Sequence, residues 1–219
     1  MIGFSGSPRL VKGGLVLVDP ASGAVRRVIA LQYNPDTLTR TLQVQGAGSE
    51  TGDRTEALRL KGPPVETIKL DAEIDATDQL ALPEQNRAAA QAGIHPQLAV
   101  LESIIYPTVA QLQAEIALAQ TGVLEIAPME APLTLFVWSR NRVVPVRVTD
   151  FSVTEEAFDP ALNPVRAKVS LSLRVLSVLD LPSTHVGAGL YMSYQQQKEI
   201  LAGTAVAGAL SALGISGLG

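Results

Sequence analysis

No cysteine occurs anywhere in the chain. That removes disulfide staples and thiolate metal sites together, and suits a reducing compartment. Histidine is almost as scarce: His95 and His185 stand far apart, with no second histidine near either. Each reads as a helix-cap or surface residue, so no metal site is expected. Aromatic residues make up only 4% of the sequence, with the single tryptophan Trp138, so Val, Leu, Ile and Ala must build the core. Charged residues are few, at 17%, against 47% hydrophobic. A disordered chain needs the opposite balance. The net charge of −4 argues against a nucleic-acid partner, because such proteins usually carry a basic balance.

Chemical motifs are missing too. There is no HExxH, no P-loop, no GxGxxG and no GxSxG elbow. No nucleophile, base and orienting group stand in a recognisable pattern, so neither catalysis nor a cofactor is expected. The start, MIGFSGSPRLVKGG, lacks the basic residues and apolar run of a signal peptide, which leads us to expect a cytoplasmic protein. No charge follows Glu199, but that tail is mostly Ala, Gly and Ser and would insert poorly into a bilayer, so no membrane partner is expected.

What is present is alternation. Runs at 9–18, 24–33, 38–45, 66–78, 133–139, 142–155 and 165–176 read as seven strands, the first two joined by the turn residues of DPASG. Between the fourth and fifth the period changes. Leu98, Leu101, Ile104 and Ile105, then Val109, Leu112, Ile116 and Leu118, recur at helical spacing, with Pro96 and Pro107 dividing the stretch into two or three short helices. The polar, glycine-rich segment 46–56 reads as a loop that is mobile or ordered by a partner. The order strands, helices, strands predicts an α+β protein: an antiparallel β-barrel or sandwich with a central helical segment and a C-terminal Ala/Gly-rich helix. Residues 1–182 form the main domain, with a helical insertion at about 84–120, and 183–219 form the tail.

Two strands carry strongly polarised faces. In 165–176, Ala167, Val169, Leu171, Leu173 and Val175 oppose Arg166, Lys168, Ser170, Ser172 and Arg174. In 66–78, Ile68, Leu70, Ala72 and Ile74 oppose Lys69, Asp71, Glu73 and Asp75. A flat strand face spreads carboxylates apart, whereas a cation needs oxygens converging on one point, so pairing with Lys or Arg, or solvation, is expected of Asp71, Glu73 and Asp75. Before the last strand lies FDPALNP, residues 158–164. Its prolines restrict φ, and Asp159 and Asn163 can bond the local backbone, which predicts a stiff loop holding Phe158 in place.

Two stretches resemble a known family. LQYNPDTLTRTL (31–42) is similar to an "FNP" signature of the tube and baseplate proteins of contractile injection systems, the phage-tail-like particles. PLTLFVWSRNRVVPVRVTDFSVTEEAFDPALNPVRAKVSLSLRVL (132–176) resembles that family's second signature, with its tryptophan strand, hairpin and FDPxLNPVRA loop. The nearest likeness is the LysM-type protein beside the spike hub, although the LysM opening itself is absent and the chain runs into THVGAGLYMSYQQQ instead. The resemblance implies a tail-tube type of barrel, and a ring of six copies between tube protein and spike or hub protein, with baseplate wedge proteins as further partners. It implies residence in an assembled particle that can be released from the cell. On that basis Arg166, Lys168, Arg174, Asp71, Glu73, Asp75, Phe158, Asp159 and Asn163 are candidate interface residues, with the charged faces lining the lumen or a ring contact. A cap-side tube adaptor, or an accessory module binding glycan or peptidoglycan, is the alternative. Trp138, Val146, Val148, Phe151, Val169, Leu171 and Leu173 are expected in the core. Residues 190–213 are expected to be a helix docking on a partner, another baseplate component or an adjacent subunit, through Leu201, Val206, Leu210 and Leu213.

Overall fold

The computed structural model describes residues 10–46, 59–120, 131–205, 208, 210–213 and 215. Alternation becomes strand throughout: β1 (Gly14–Val18), β2 (Val25–Ala30), β3 (Leu38–Gln43), β4 (Val65–Asp75), β5 (Leu133–Val137), β6 (Val143–Phe158) and β7 (Pro164–Val175). Four helices, α1 (Thr77–Leu80), α2 (Arg87–Ala92), α3 (His95–Glu102) and α4 (Val109–Gln120), separate β4 from β5; α5 (Val186–Thr204) and a 3-10 turn (Leu210–Leu213) follow β7. The glycine-rich stretch 46–56, anticipated as a loop that is mobile or ordered by a partner, falls largely outside the described residues.

The strands form one seven-stranded sheet in the order β2-β1-β5-β6-β7-β4-β3, with every neighbour antiparallel. The fold is α+β, but the expected barrel does not close. β2 and β3 end the sheet, and no ladder joins them. The sheet nonetheless curls enough that the segment after β2 reaches the end of β4. There the Gln32 side chain, not a strand, makes the contact.

The core follows the alternating faces. Ile68, Leu70, Ala72 and Ile74 of β4 and Ala167, Val169, Leu171, Leu173 and Val175 of β7 are all buried, together with Leu15, Leu17, Phe136, Val144 and Val146. Ala89, Ile94, Leu98, Leu101 and Ile104 of the helical segment join the same cluster. On the opposite face of β1 and β5, Val18, Leu133 and Leu135 form a smaller cluster with Leu190 of α5 packed against it. Val146, Val169, Leu171 and Leu173 lie in the core as expected. Trp138, Val148 and Phe151 are only partly buried against it. In β6 the reason is a bulge between Val148 and Asp150, where Thr149 drops out of register and donates its hydroxyl to the Ser172 carbonyl at 3.1 Å. The inward position therefore passes from even to odd residues, from Val148 to Phe151. Trp138 instead stacks on Phe136, with ring centroids 5.9 Å apart. A β-carbon added at Gly13 would lie 2.3 Å from that indole, so only glycine fits beneath it.

The tail differs from expectation. α5 starts earlier, ends at Thr204, and packs on β6. Its buried residues are Gly187, Ala188, Tyr191 and Tyr194. Leu201 and Leu213 are exposed on the single chain, and the side chains of Val206 and Leu210 lie outside the description. Two tyrosines bury more area than a small-residue stripe can, and they sit in the half of the helix nearest the sheet. Among the described residues, no helix is long and apolar enough to cross a membrane.

Candidate interaction surface

The two polarised strands are neighbours, and their charged faces meet. β4 and β7 pair so that Asp75 stands opposite Arg166, Glu73 opposite Lys168 and Asp71 opposite Ser170. Arg166 binds the Asp75 carboxylate at 2.8 Å. Lys168 reaches diagonally to Asp71 at 3.1 Å, and the Ser170 hydroxyl donates to the same carboxylate at 2.6 Å. The Ser170 and Lys168 contacts hold Asp71 below the ordinary carboxylate range; the Thr77 hydrogen bond and then Arg166 do the same for Asp75. Glu73 is exposed and has no ion pair among the described residues. On the other side β6 adds Asp150, Ser152, Thr154 and Glu156, opposite Ser172, Ser170, Lys168 and Arg166. The result is a hydroxylated face of interleaved charge three strands wide, extended by the threonines of β3. Such pairs stabilise little when exposed, so their regularity is a property of the surface more than of the fold.

Arg174 lies on the same face of β7, at the end farthest from Arg166. It pairs with Asp180 at 2.6 Å, beyond the end of β7, and its cross-strand neighbours are Thr67 and Arg147. No three acidic or histidine side chains converge as a metal site among the described residues.

The loop between β6 and β7 is stiff for the reasons its sequence suggests. The Asp159 carboxylate accepts from the Ala161 and Asn163 backbone N–H groups and from the Asn163 amide, each at 2.8 Å, which holds it below its ordinary range. Asn163 also donates to the Gln91 carbonyl at 3.3 Å, tying the loop to α2. The Ile94 N–H bonds the Pro164 carbonyl at 2.9 Å, and Gly93, at φ +55°, leaves no room for a β-carbon against that carbonyl. Asp159 and Asn163 are thus occupied within the hairpin. Phe158 is left 52% exposed and Leu162 78%, the latter at a positive φ of 64°.

The LQYNP stretch works in the same manner. Gln32 accepts from the Asp75 N–H at 3.0 Å and donates to the Asp75 carbonyl at 2.7 Å. Asn34 accepts from the Gly13 N–H at 2.8 Å and donates to the Val11 carbonyl at 2.9 Å. Each side-chain amide imitates the donor–acceptor pair of a neighbouring strand.

One group of residues escaped the sequence reading. Glu66 is 4% exposed on the apolar face of β4. Arg40 of β3 donates to it at 2.7 Å, the Tyr194 hydroxyl at 3.3 Å, and Lys198 lies 3.7 Å away while also stacking over the Tyr194 ring. Desolvation and the Glu66 charge raise the Tyr194 pKa, and desolvation lowers that of Lys198. This cluster ties α5 to the β3 end of the sheet. The available signal was a carboxylate at the apolar phase of VETIKL.

Two further surfaces are unusual. The end strands β2 and β3 have no second neighbour among the described residues, and Val25, Val28, Leu42 and Val44 are exposed on or beside them. α4 buries none of its residues; Val109, Leu112 and Ile116, which share its helical repeat, are 69%, 42% and 58% exposed.

No protein-family model matches this chain, and no curated protein matches it in sequence. Among solved structures, it aligns with the tail of an empty GTA particle of C6 symmetry at 11% identity, with a TM-score of 0.29, over 75% of this chain and 90% of that one. A likeness of that degree decides neither fold nor function.

Proposed function

We propose that this chain is a structural, ring-forming component of a contractile injection system, at the baseplate end of the inner tube between tube and spike hub. The observation that carries this reading is the pair of unpaired end strands flanking a broad, continuous polar face. Free strand edges are templates for pairing with another chain, and two unlike edges on one molecule give a heterologous contact that closes into a ring. The ion-paired, hydroxyl-rich face then lines a lumen through which cargo passes without sticking. The LQYNP and FDPALNP motifs, which carry the family resemblance, support the reading from another direction: both fix the backbone at opposite parts of the sheet. No substrate chemistry is required of such a protein. Its partners are further copies of itself, six to a ring, together with tube, spike or hub, and baseplate wedge proteins, within an assembled particle. The test is sedimentation and electron microscopy of the purified chain, with and without co-expressed tube and hub proteins. Rings of defined symmetry support the reading. A monomer that binds glycan and joins no particle overturns it in favour of a carbohydrate-binding module.

A further inference from the structure

α4 buries none of its residues. It is well nucleated, because Thr108 and Gln111 form a reciprocal cap: the Gln111 amide oxygen accepts from the Thr108 N–H at 2.9 Å, and Thr108 Oγ1 accepts from the Gln111 N–H at 3.3 Å. Twelve residues are still marginal for an isolated helix in water. Its stripe of Val109, Leu112 and Ile116 is exposed, and the preceding Tyr106 is 67% exposed. Glu115 is its one charged residue.

The same chain holds an uncovered groove of about 470 Å³, lined by Ile105, Val148, Leu176 and Leu181 together with Arg147 and His185. The groove is predominantly apolar but has a cationic edge with an unmet need. Arg147 stands directly opposite Arg174 across β6 and β7. Arg174 is neutralised by Asp180, whereas Arg147 is exposed and has no ion-pair partner among the described residues. Two arginines facing each other across a ladder repel, so an added carboxylate at Arg147 is favoured. Each copy therefore presents one apolar helix with a single negative charge and one apolar groove with a positive charge unpaired among the described residues, and no residue of the helix lines the groove.

We propose that α4 of one copy seats in this groove of a second copy, with Glu115 beside Arg147. This rests on the reading that the chain assembles with itself, and names a helix-in-groove contact that works beside the strand edges. Such a contact is heterologous and repeats around a ring.

The chain has no native cysteine, so disulfide trapping is unambiguous. An Ile116→Cys chain mixed with a Leu176→Cys chain and oxidised is expected to give a disulfide-linked pair of twice the chain mass, well above the yield of either chain alone. Arg147→Glu is expected to weaken self-association by about tenfold, since like charges across an interface are strongly disfavoured, and Glu115→Arg added to Arg147→Glu to restore it. Arg147→Glu also relieves the repulsion with Arg174, so the isolated chain should melt no lower, which separates assembly from folding. A doubly substituted chain that closes its disulfide within the monomer overturns the proposal. So does an absent cross-link in a sample that sediments as an oligomer, and in that case the ring reading stands. A chain that sediments as a monomer at every concentration removes both.

Discussion

Gln32 and Asp75 are bonded twice, side-chain amide to backbone, at 3.0 and 2.7 Å, across the gap between the two ends of the sheet. β3 accompanies β4 only as far as Leu70, so the outer edge of β4 beyond that point has no strand beside it. Gln32 supplies at Asp75 what a strand would have supplied. Gln32→Leu removes donor and acceptor at once and strands a partly buried N–H and carbonyl, at an expected cost of about 1–3 kcal/mol. Chemical denaturation should show that loss, and hydrogen exchange should show faster opening at the Asp75 amide. Unchanged protection there would mean that the clasp is incidental.

The buried cluster around Glu66 makes an asymmetric prediction. Removing the cation while keeping the anion, as in Arg40→Leu, leaves a carboxylate at 4% exposure supported by the Tyr194 hydroxyl and a more distant Lys198. Breaking a buried pair from one side costs about 3–5 kcal/mol. Tyr194→Phe removes two weaker bonds, the one donated to Glu66 and the one accepted from Arg40 at 3.1 Å, and should cost about 1–2 kcal/mol. The double replacement Arg40→Leu with Glu66→Leu should recover much of the loss. Three denaturation curves suffice, and a double variant as unstable as Arg40→Leu would contradict the argument.

Strand positions were legible because the apolar faces alternate without interruption in β4 and β7, and burial enforces that phase. The helical insertion was legible for the same reason, through Leu98, Leu101 and Ile104. Closure was not, since it depends on whether two edges meet in space, and a single glutamine side chain stands where a ladder was expected. The packing of α5 on its own sheet was not legible, because the aliphatic repeat of its second half is more regular than the two tyrosines that bury its first half. Of the candidate site, the polarised faces were readable from the sequence, but their juxtaposition was not. Alternation says which residues share a face and is silent on which strands are neighbours. Asp159 and Asn163 were read as turn formers and as interface candidates, and their hydrogen bonds are all accounted for within the hairpin and its anchor on α2.

Acid should weaken the fold through its depressed carboxylates. Asp71 and Asp75 are held below their ordinary range by hydrogen bonds and by Lys168 and Arg166, and Asp159 by its loop amides. In the unfolded chain each takes up a proton near pH 3.9, while the folded chain resists until lower pH. Their stabilisation is therefore fully present above about pH 4 and is lost as pH falls through the folded values. Melting temperature should drop steeply below about pH 4, and Asp75→Asn should flatten that drop while lowering stability at neutral pH. A variant with the same acid profile as the native chain would remove Asp75 from the explanation.

The polar face separates folding from assembly. Arg166 and Lys168 have half-exposed side chains, and their pairs with Asp75 and Asp71 lie in high dielectric. Replacing both by glutamate sets two new carboxylates beside Asp71, Glu73 and Asp75. Exposed pairs of this kind carry up to about 1 kcal/mol each, and like charges opposite one another cost a similar amount. The isolated double variant should therefore remain folded, with a loss of at most about 4 kcal/mol. Lined around a ring, however, the same change is repeated in every copy and turns a balanced surface into a dense anionic one. Repulsion then accumulates within roughly a Debye length of about 8–10 Å at moderate salt. Ring formation or cargo passage should fail at low ionic strength and recover partly as salt is raised. If the double variant assembles and functions as the native chain does at every salt concentration, the face looks outward onto solvent and the lumen must be lined by other residues.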